Sequence, residues 1–359
     1  MQDIHSPCGS GQGEGELVEI LTMTEFELIR TFFVRQAVTR SDVAAGIGDD
    51  AALLIPPPGQ QLAVTSDLMV SGVHFLSDTD PFSLGHKALA VNLSDLAAMG
   101  AEPAWFMLNL VLPAADGRWL EAFCRGMFRL ARDHGVQLVG GDTSRGPLAI
   151  AIEAHGFVPE GKALRRSGAQ PGDRLYVTGT LGDAAMALRH RLGGIRLPEG
   201  DLSALAQRLD RPTPRVKEGI LLRDIASSAI DISDGLVADL GHILELSRVG
   251  ARIDIAKIPL SPECRRHVRE AGWDTVLATG DDYELCFSVP EKNVAAMEKL
   301  QFDSGFSRIG VIEPEAGLRI QDEAGKPYRT QHAGHDHFNE PDNSPDTNKH
   351  SAKTSKGVI

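Results

Sequence analysis

The chain has 359 residues, 42% hydrophobic and 24% charged, with a formal net charge of −13 at pH 7. This is the composition of a globular protein with a packed core, and at roughly 150 residues per domain the length predicts two domains. The acidic balance offers no basic face to a polyanion, which excludes nucleic acid as a partner, and no stretch reaches the ~18 apolar residues of a membrane span.

Cys8, Cys124, Cys264 and Cys286 are scattered with no C-x-x-C pair, so they read as reduced thiols of a soluble, cytoplasmic protein. The first twenty residues have neither a basic leader nor an apolar run, and no secretory signal is read there. Residues 1–23 and 339–359 hold too few apolar side chains to order themselves and are expected to be flexible tails.

Between the tails, strand-like and helix-like stretches alternate, predicting an α/β or layered α+β fold. Leu62 to Thr65 reads as a strand. Ser83 to Met99 reads as a helix stopped by Gly100, with Leu84, Ala88, Val91, Asp95 and Met99 at helical spacing. Trp105 to Leu112 reads as a buried strand, Trp119 to His134 as a helix, and 136–139 and 148–157 as strands. These form an N-terminal domain over 24–158. The turn-rich, basic stretch 159–173 reads as a linker, opening a C-terminal domain over 159–338. There 175–178, 229–232 and 283–289 are strand-like, and 182–191 and 236–248 helix-like.

Aspartate recurs after glycine or serine where apolar stretches end: Asp49-Asp50, Asp67, Asp95, Asp142, Asp234 and Asp281-Asp282, with Asp231 just before Asp234. Singly, each is an ordinary turn or cap residue. As a set gathered on strand-end loops they would repel one another unless cations lay between them, and magnesium, with its oxygen-only preference, suits the residue choice. Calcium could use the same oxygens, but no EF-hand loop is present. Gly46-Ile47-Gly48-Asp49-Asp50-Ala51 matches a dinucleotide fingerprint by letter. It is followed by an extended apolar run ending in three prolines where the fingerprint needs a helix. No P-loop motif is present either, so any ATP is held by metals and backbone amides in another arrangement.

The ordered segments GIGDDAAL, VTSDLMVSGVHF, KALAVNLSDLAAMGAEPAW, LVGGDTSRGPLAI, RRSGAQPGDRLYVTG, AIDISDGLVADLGHI and TGDDYELCF, spread over about 25–338, resemble the thiamine-monophosphate kinase family. The resemblance implies two domains like those of aminoimidazole ribonucleotide synthetase, a homodimer formed through the first domain, and conversion of ATP plus thiamine monophosphate to ADP plus thiamine diphosphate. By position it implies magnesium ligands at Asp50, Ser66, Asp67, Asp95, Asp142, Asp231 and Asp234, and ATP contacts at Gly141, Arg166 and Ser233. It also implies substrate contacts at His74, Asp281 and Phe338, with Asp281 standing where the family more usually has glutamate. Asp282 and Tyr283 are further candidates, by residue type, for the pocket of the cationic substrate ring. Taken alone, His74 reads as a core histidine, Arg165 and Arg166 as a solvated turn, and His332, His335 and His337 as solvated side chains.

The acceptor is itself a phosphate, largely dianionic at neutral pH, so the resemblance implies metal-assisted, direct in-line transfer with no general base and no phosphoenzyme. Two alternatives stay open: another ATP-using enzyme of the same superfamily, and a noncatalytic protein that binds nucleotide or thiamine diphosphate. A selenophosphate-forming enzyme would want a reactive N-terminal cysteine beside lysine, and a carbamoyl-dehydrating one a C-terminal cysteine. Neither setting occurs.

Overall fold

The computed structural model describes residues 24–34, 38–331 and 334. In chain order the elements are α1 (Glu25–Leu28), β1 (Val43–Ala45), β2 (Leu53–Leu54), β3 (Gln60–Val70), α2 (Pro81–Ala98), β4 (Glu102–Leu112), α3 (Gly117–Asp133), β5 (Gln137–Arg145) and β6 (Ala149–Pro159). There follow β7 (Arg174–Thr178), α4 (Asp183–Arg191), α5 (Glu199–Asp210), α6 (Val216–Leu222), β8 (Ser228–Asp231), α7 (Leu236–Ser247), β9 (Gly250–Asp254), α8 (Pro262–Ala271) and α9 (Trp273–Leu277). The last are β10 (Leu285–Val289), α10 (Glu291–Met297), β11 (Phe306–Glu313), β12 (Gly317–Gln321) and β13 (Pro327–Tyr328).

Two main sheets carry the fold. A four-stranded sheet runs β3-β6-β4-β5, antiparallel except for the β4–β5 pair, and a seven-stranded sheet runs β13-β12-β9-β11-β7-β10-β8, antiparallel except for β12–β9. This mixed α/β layering is the architecture expected from the alternating sequence pattern. Among the described residues no helix is long and apolar enough to cross a membrane.

The helix α2 sits where the two sheets approach. Asp80 caps its start, accepting the Ser83 N–H at 2.9 Å, Pro81 occupies the first turn, and Gly100 at φ +64 ends it in the left-handed conformation. It is apolar on nearly every side, as a helix must be when packed all round. Its first half crosses α3 at glycines from each helix. A Cβ on Gly85 would fall 2.0 Å from the Phe123 carbonyl oxygen, and one on Gly126 would fall 1.8 Å from that of Phe82. Its last turn meets α6 the same way, since a Cβ on Gly219 would lie 2.0 Å from the Ala97 oxygen. One hydrophobic cluster therefore runs from Leu89, Leu93 and Phe123 to Val216, Leu222 and Phe287. A second fills the seven-stranded sheet and its helices around Leu175, Ile230 and Ile253.

The α2–α3 crossing gives a direct test. Gly126→Ala should destabilise the chain by about 1–3 kcal/mol, because the methyl has only backbone to displace. An unchanged thermal unfolding midpoint would refute the close crossing.

Candidate active site

A cleft of about 1770 Å³ opens between α2 and the second sheet. The first half of the chain lines it with Asp67, His74, Lys87, Val91 and Asp95, and the second half with Asp231, Ser233, Asp234, Asp281 and Tyr283. Lys87, Val91 and Asp95 recur every four residues, so one face of α2 supplies them.

Three polar groups on this buried helix have partners in or beside the cleft. Asn92 Oδ1 accepts the Asp67 N–H of edge strand β3 at 3.2 Å. Ser94 Oγ donates to Asp231 Oδ2 at 2.7 Å, and the Thr65 hydroxyl donates to Asp95 Oδ2. Thr65 and Asp67 alternate along β3 toward α2, whereas Ser66 faces outward and is exposed.

The carboxylates resist ionisation together. Burial first, then the charges of Asp95 and Asp234, push the Asp67 carboxyl from 3.8 up to about 7. Burial also raises Asp95, against the Thr65 hydroxyl and the Arg166 charge, which both lower it. Asp231 is raised well above the ordinary range by burial, then by Asp95. The sites are all oxygen, as a hard cation requires, and the mutual repulsion is what a cation would relieve. Among the described residues no three such groups already close on one point. Magnesium takes one or two carboxylates and completes its shell with water and phosphate oxygens. The donor set fits the ion.

Two loops are fastened together at the other wall. Asp239 Oδ2 accepts the N–H groups of Ser233, Asp234 and Gly235 at 3.0, 3.0 and 3.1 Å. Burial, then the charge of Asp234, raises the Asp239 carboxyl to about 7 despite these three donors. The Asp281 and Tyr283 N–H groups each donate at 2.9 Å to the carbonyls of Ser233 and Ile232. Gly280 lies so close that a Cβ would meet the Ser233 oxygen at 2.1 Å. Asp281 (φ +64) and Tyr283 (φ +51) are held in the left-handed region, a cost of order 1 kcal/mol or more each. Lys87 Nζ lies 2.9 Å from Asp281 Oδ1. His74 Nδ1 accepts the Val70 N–H at 3.0 Å.

Eight of the residues expected from the sequence thus share the cleft: Asp67, His74, Asp95, Asp231, Ser233, Asp234, Asp281 and Tyr283. Arg166 is exposed but within electrostatic reach of Asp95. Asp50, Ser66, Gly141 and Asp142 are not in the cleft lining. Asp50 and Asp142 are exposed, and Gly141 sits level with Asp67 across the four-stranded sheet, on β5 rather than β3, about 14 Å away along the sheet at ~4.8 Å per strand. Gly141 must be glycine, since a Cβ would lie 1.8 Å from the Leu108 oxygen. Phe338, His332, His335 and His337 lie outside the described residues.

The expected placement on strand-end loops needs correction for Asp67 and Asp142, which lie within strands, whereas Asp95 lies in the helix expected for it. Asp282 also departs from expectation, being buried away from the cleft lining with Oδ1 on the Gly182 N–H at 2.8 Å. Sequence reasoning missed Thr65, Lys87, Asn92, Ser94 and Asp239. The available signal was polar residues on a helix too apolar to sit at a surface.

Residues 48–158 match the family described as AIR synthase related protein, N-terminal domain, and residues 170–323 match its C-terminal domain. The chain is 49% identical over 324 residues to the thiamine-monophosphate kinase of Salmonella typhimurium, covering 88% of this chain and 99% of that one. The Escherichia coli K12 thiamine-monophosphate kinase is 49% identical over 323 residues, with the same coverage. The crystal structure of thiamine-monophosphate kinase from Stenotrophomonas maltophilia superposes with a TM-score of 0.74 at 48% identity, covering 80% of this chain and 93% of that one. A second solved structure, AaThiL complexed with AMPPCP and TMP, gives 0.69 at 32% identity, covering 80% and 91%. With two AIR synthase-type domains and this identity along most of its length, the chain belongs to the thiamine-monophosphate kinase family.

Proposed function

We infer that the chain phosphorylates thiamine monophosphate to thiamine diphosphate with ATP, using the cleft carboxylates to hold magnesium. The observation that carries this is the carboxylate cluster of Asp67, Asp95, Asp231 and Asp234, built on the framework of a family whose solved member holds AMPPCP and TMP together. ATP is the co-substrate. Asp67, Asp95, Asp231 and Asp234 are the proposed ion ligands in the cleft, with Asp50, Ser66 and Asp142 as a second set. Gly141, Arg166 and Ser233 are proposed for ATP, and His74, Asp281 and Phe338 for the acceptor.

When bound, magnesium neutralises the phosphate charges and holds donor and acceptor in line. The chain's own groups orient the reactants. Ser94 and Thr65 fix the directions of Asp231 and Asp95, Asn92 pins β3 against α2, and Asp239 holds the Ser233–Gly235 amides in place. The acceptor phosphate arrives largely ionised, so His74 has no proton to remove. Transfer is direct, with no phosphoenzyme.

The first test is product chromatography after incubation with thiamine monophosphate, ATP and magnesium. Thiamine diphosphate should form, EDTA should abolish it, and Asp95→Asn should lower turnover by about 100-fold or more while the fold survives. A folded, ATP-binding chain without turnover would favour the noncatalytic alternative.

The raised carboxyls also fix a pH dependence for the ion-free chain. Asp67 and Asp239 have native values of about 7 against an ordinary 3.8. Between those values the native state keeps protons that the unfolded state has shed, so stability in EDTA should fall as pH rises through that window and level off above it. Magnesium needs the ionised carboxylates, so it should raise the melting temperature more at about pH 8 than at about pH 5. A melting temperature in EDTA that climbs across the window would contradict the cluster.

A homodimer is proposed through the first sheet. Leu62, Val64 and Leu68 on the outer face of β3 are 45%, 55% and 57% exposed, and such an apolar strip needs cover. Val64→Glu should shift sedimentation from dimer to monomer; an unchanged dimer would place the interface elsewhere. Cys124, Cys264 and Cys286 are buried free thiols, which supports a reducing, cytoplasmic setting.

A further inference from the structure

Lys87 is 5% exposed yet lines the cleft. It comes from the same face of α2 as Asp95, two turns earlier, and its ammonium lies 2.9 Å from Asp281. A buried ion pair adds little net stability over apolar side chains of the same shape, so α2 gains no evident packing advantage by carrying it. Asp281 meets it from a backbone held at φ +64.

The charges around this pair are one-sided. Asp67, Asp95, Asp231 and Asp234 are carboxylates and repel an approaching phosphate. Of the other cations lining the cleft, Arg189 donates to the Ala271 carbonyl and the Thr275 hydroxyl, and Arg191 is paired in two places with Asp210. Thiamine monophosphate carries charge of both signs, a thiazolium cation and a largely dianionic phosphate.

We propose, on the kinase reading above, that Lys87 and Asp281 form a two-charge receptor for the acceptor substrate. In the empty cleft the two groups satisfy each other. When thiamine monophosphate enters, the ammonium turns to the acceptor phosphate and the carboxylate to the thiazolium, so no buried charge is left alone. Free thiamine brings only the cation. It would take Asp281 from Lys87 and strand a buried ammonium, and a site that leaves a charge unpaired discriminates strongly. Lys87 is thereby a specificity-determining residue that selects the phosphorylated substrate.

The test is steady-state kinetics with thiamine monophosphate and ATP, together with inhibition by free thiamine, for Lys87→Met, Lys87→Arg and the charge-free double variant Lys87→Met/Asp281→Asn. Lys87→Met should raise KM for thiamine monophosphate about 10- to 100-fold, as expected for losing a charged hydrogen bond, and leave KM for ATP within about twofold. The preference for thiamine monophosphate over free thiamine should narrow by the same factor, and Lys87→Arg should recover most of it. Thermal unfolding confirms that each variant folds; should Lys87→Met not fold, the double variant, which strands no charge, reads the same loss of preference. Unchanged KM for thiamine monophosphate, equal rises for both substrates, or equal weakening of thiamine and its monophosphate would overturn the receptor. A wild-type chain that makes no thiamine diphosphate would instead refute the kinase reading itself.

Discussion

The burial of α2 on every side but the cleft is the constraint from which the site follows. A helix packed against a sheet, α3 and α6 can turn polar side chains only toward the cleft or toward partners inside the protein. Asn92 matches a β3 amide, Ser94 matches Asp231 on the far sheet, and Asp95 matches Thr65. The helix thus ties the two halves of the chain at the point where chemistry is required. Moving it would disturb the carboxylates on both walls at once.

This arrangement places like charges close together before any cation arrives, and the raised carboxyls of Asp67, Asp95 and Asp231 report the cost. The surrounding structure offsets that cost with close backbone contacts and local hydrogen bonds. Asp239 gathers three amides, the 232–235 and 280–284 loops are bonded to each other, and two non-glycine residues are held in left-handed conformations. Such a site is partly assembled and electrostatically unsatisfied, which suits the magnesium and ATP proposed for it.

Much of this was legible in the sequence. The α2 stretch announced itself by spacing and by Gly100, and the stretches 105–112, 119–134 and 229–232 appear as elements with small shifts at their ends. The elements that escaped were mostly in the second half, such as α5, α8, β11 and β12. Their patterns are short or mainly polar, as in PECRRHVREA for α8, and they are fixed by long-range pairing rather than by local preference. Within the site, residue type flagged the aspartates. Their partners were invisible because Ser94 and Asp231 are 137 residues apart and Lys87 and Asp281 still further. No local pattern encodes such a pair.

The stretch Asp281-Asp282-Tyr283-Glu284 shows why residue type alone could not assign roles. Three acids fall within four positions and meet three fates. Asp281 faces the cleft and Lys87. Asp282 turns inward to the Gly182 amide with its other oxygen unpartnered, and burial pushes its carboxyl well above the ordinary range. Glu284 is fully buried, and the Arg208 and Arg215 guanidinium groups and the Thr178 hydroxyl surround its carboxylate. Gly179 makes room for that cluster, since a Cβ there would lie 2.2 Å from the Glu284 carboxylate. Gly280, Asp281 and Tyr283 all have positive φ, and Glu284 enters the core immediately before β10. Asp281 and Tyr283 line the cleft while Asp282 and Glu284 point inward, so the acid proposed for the acceptor is set apart from its neighbours by alternation along the chain rather than by residue type.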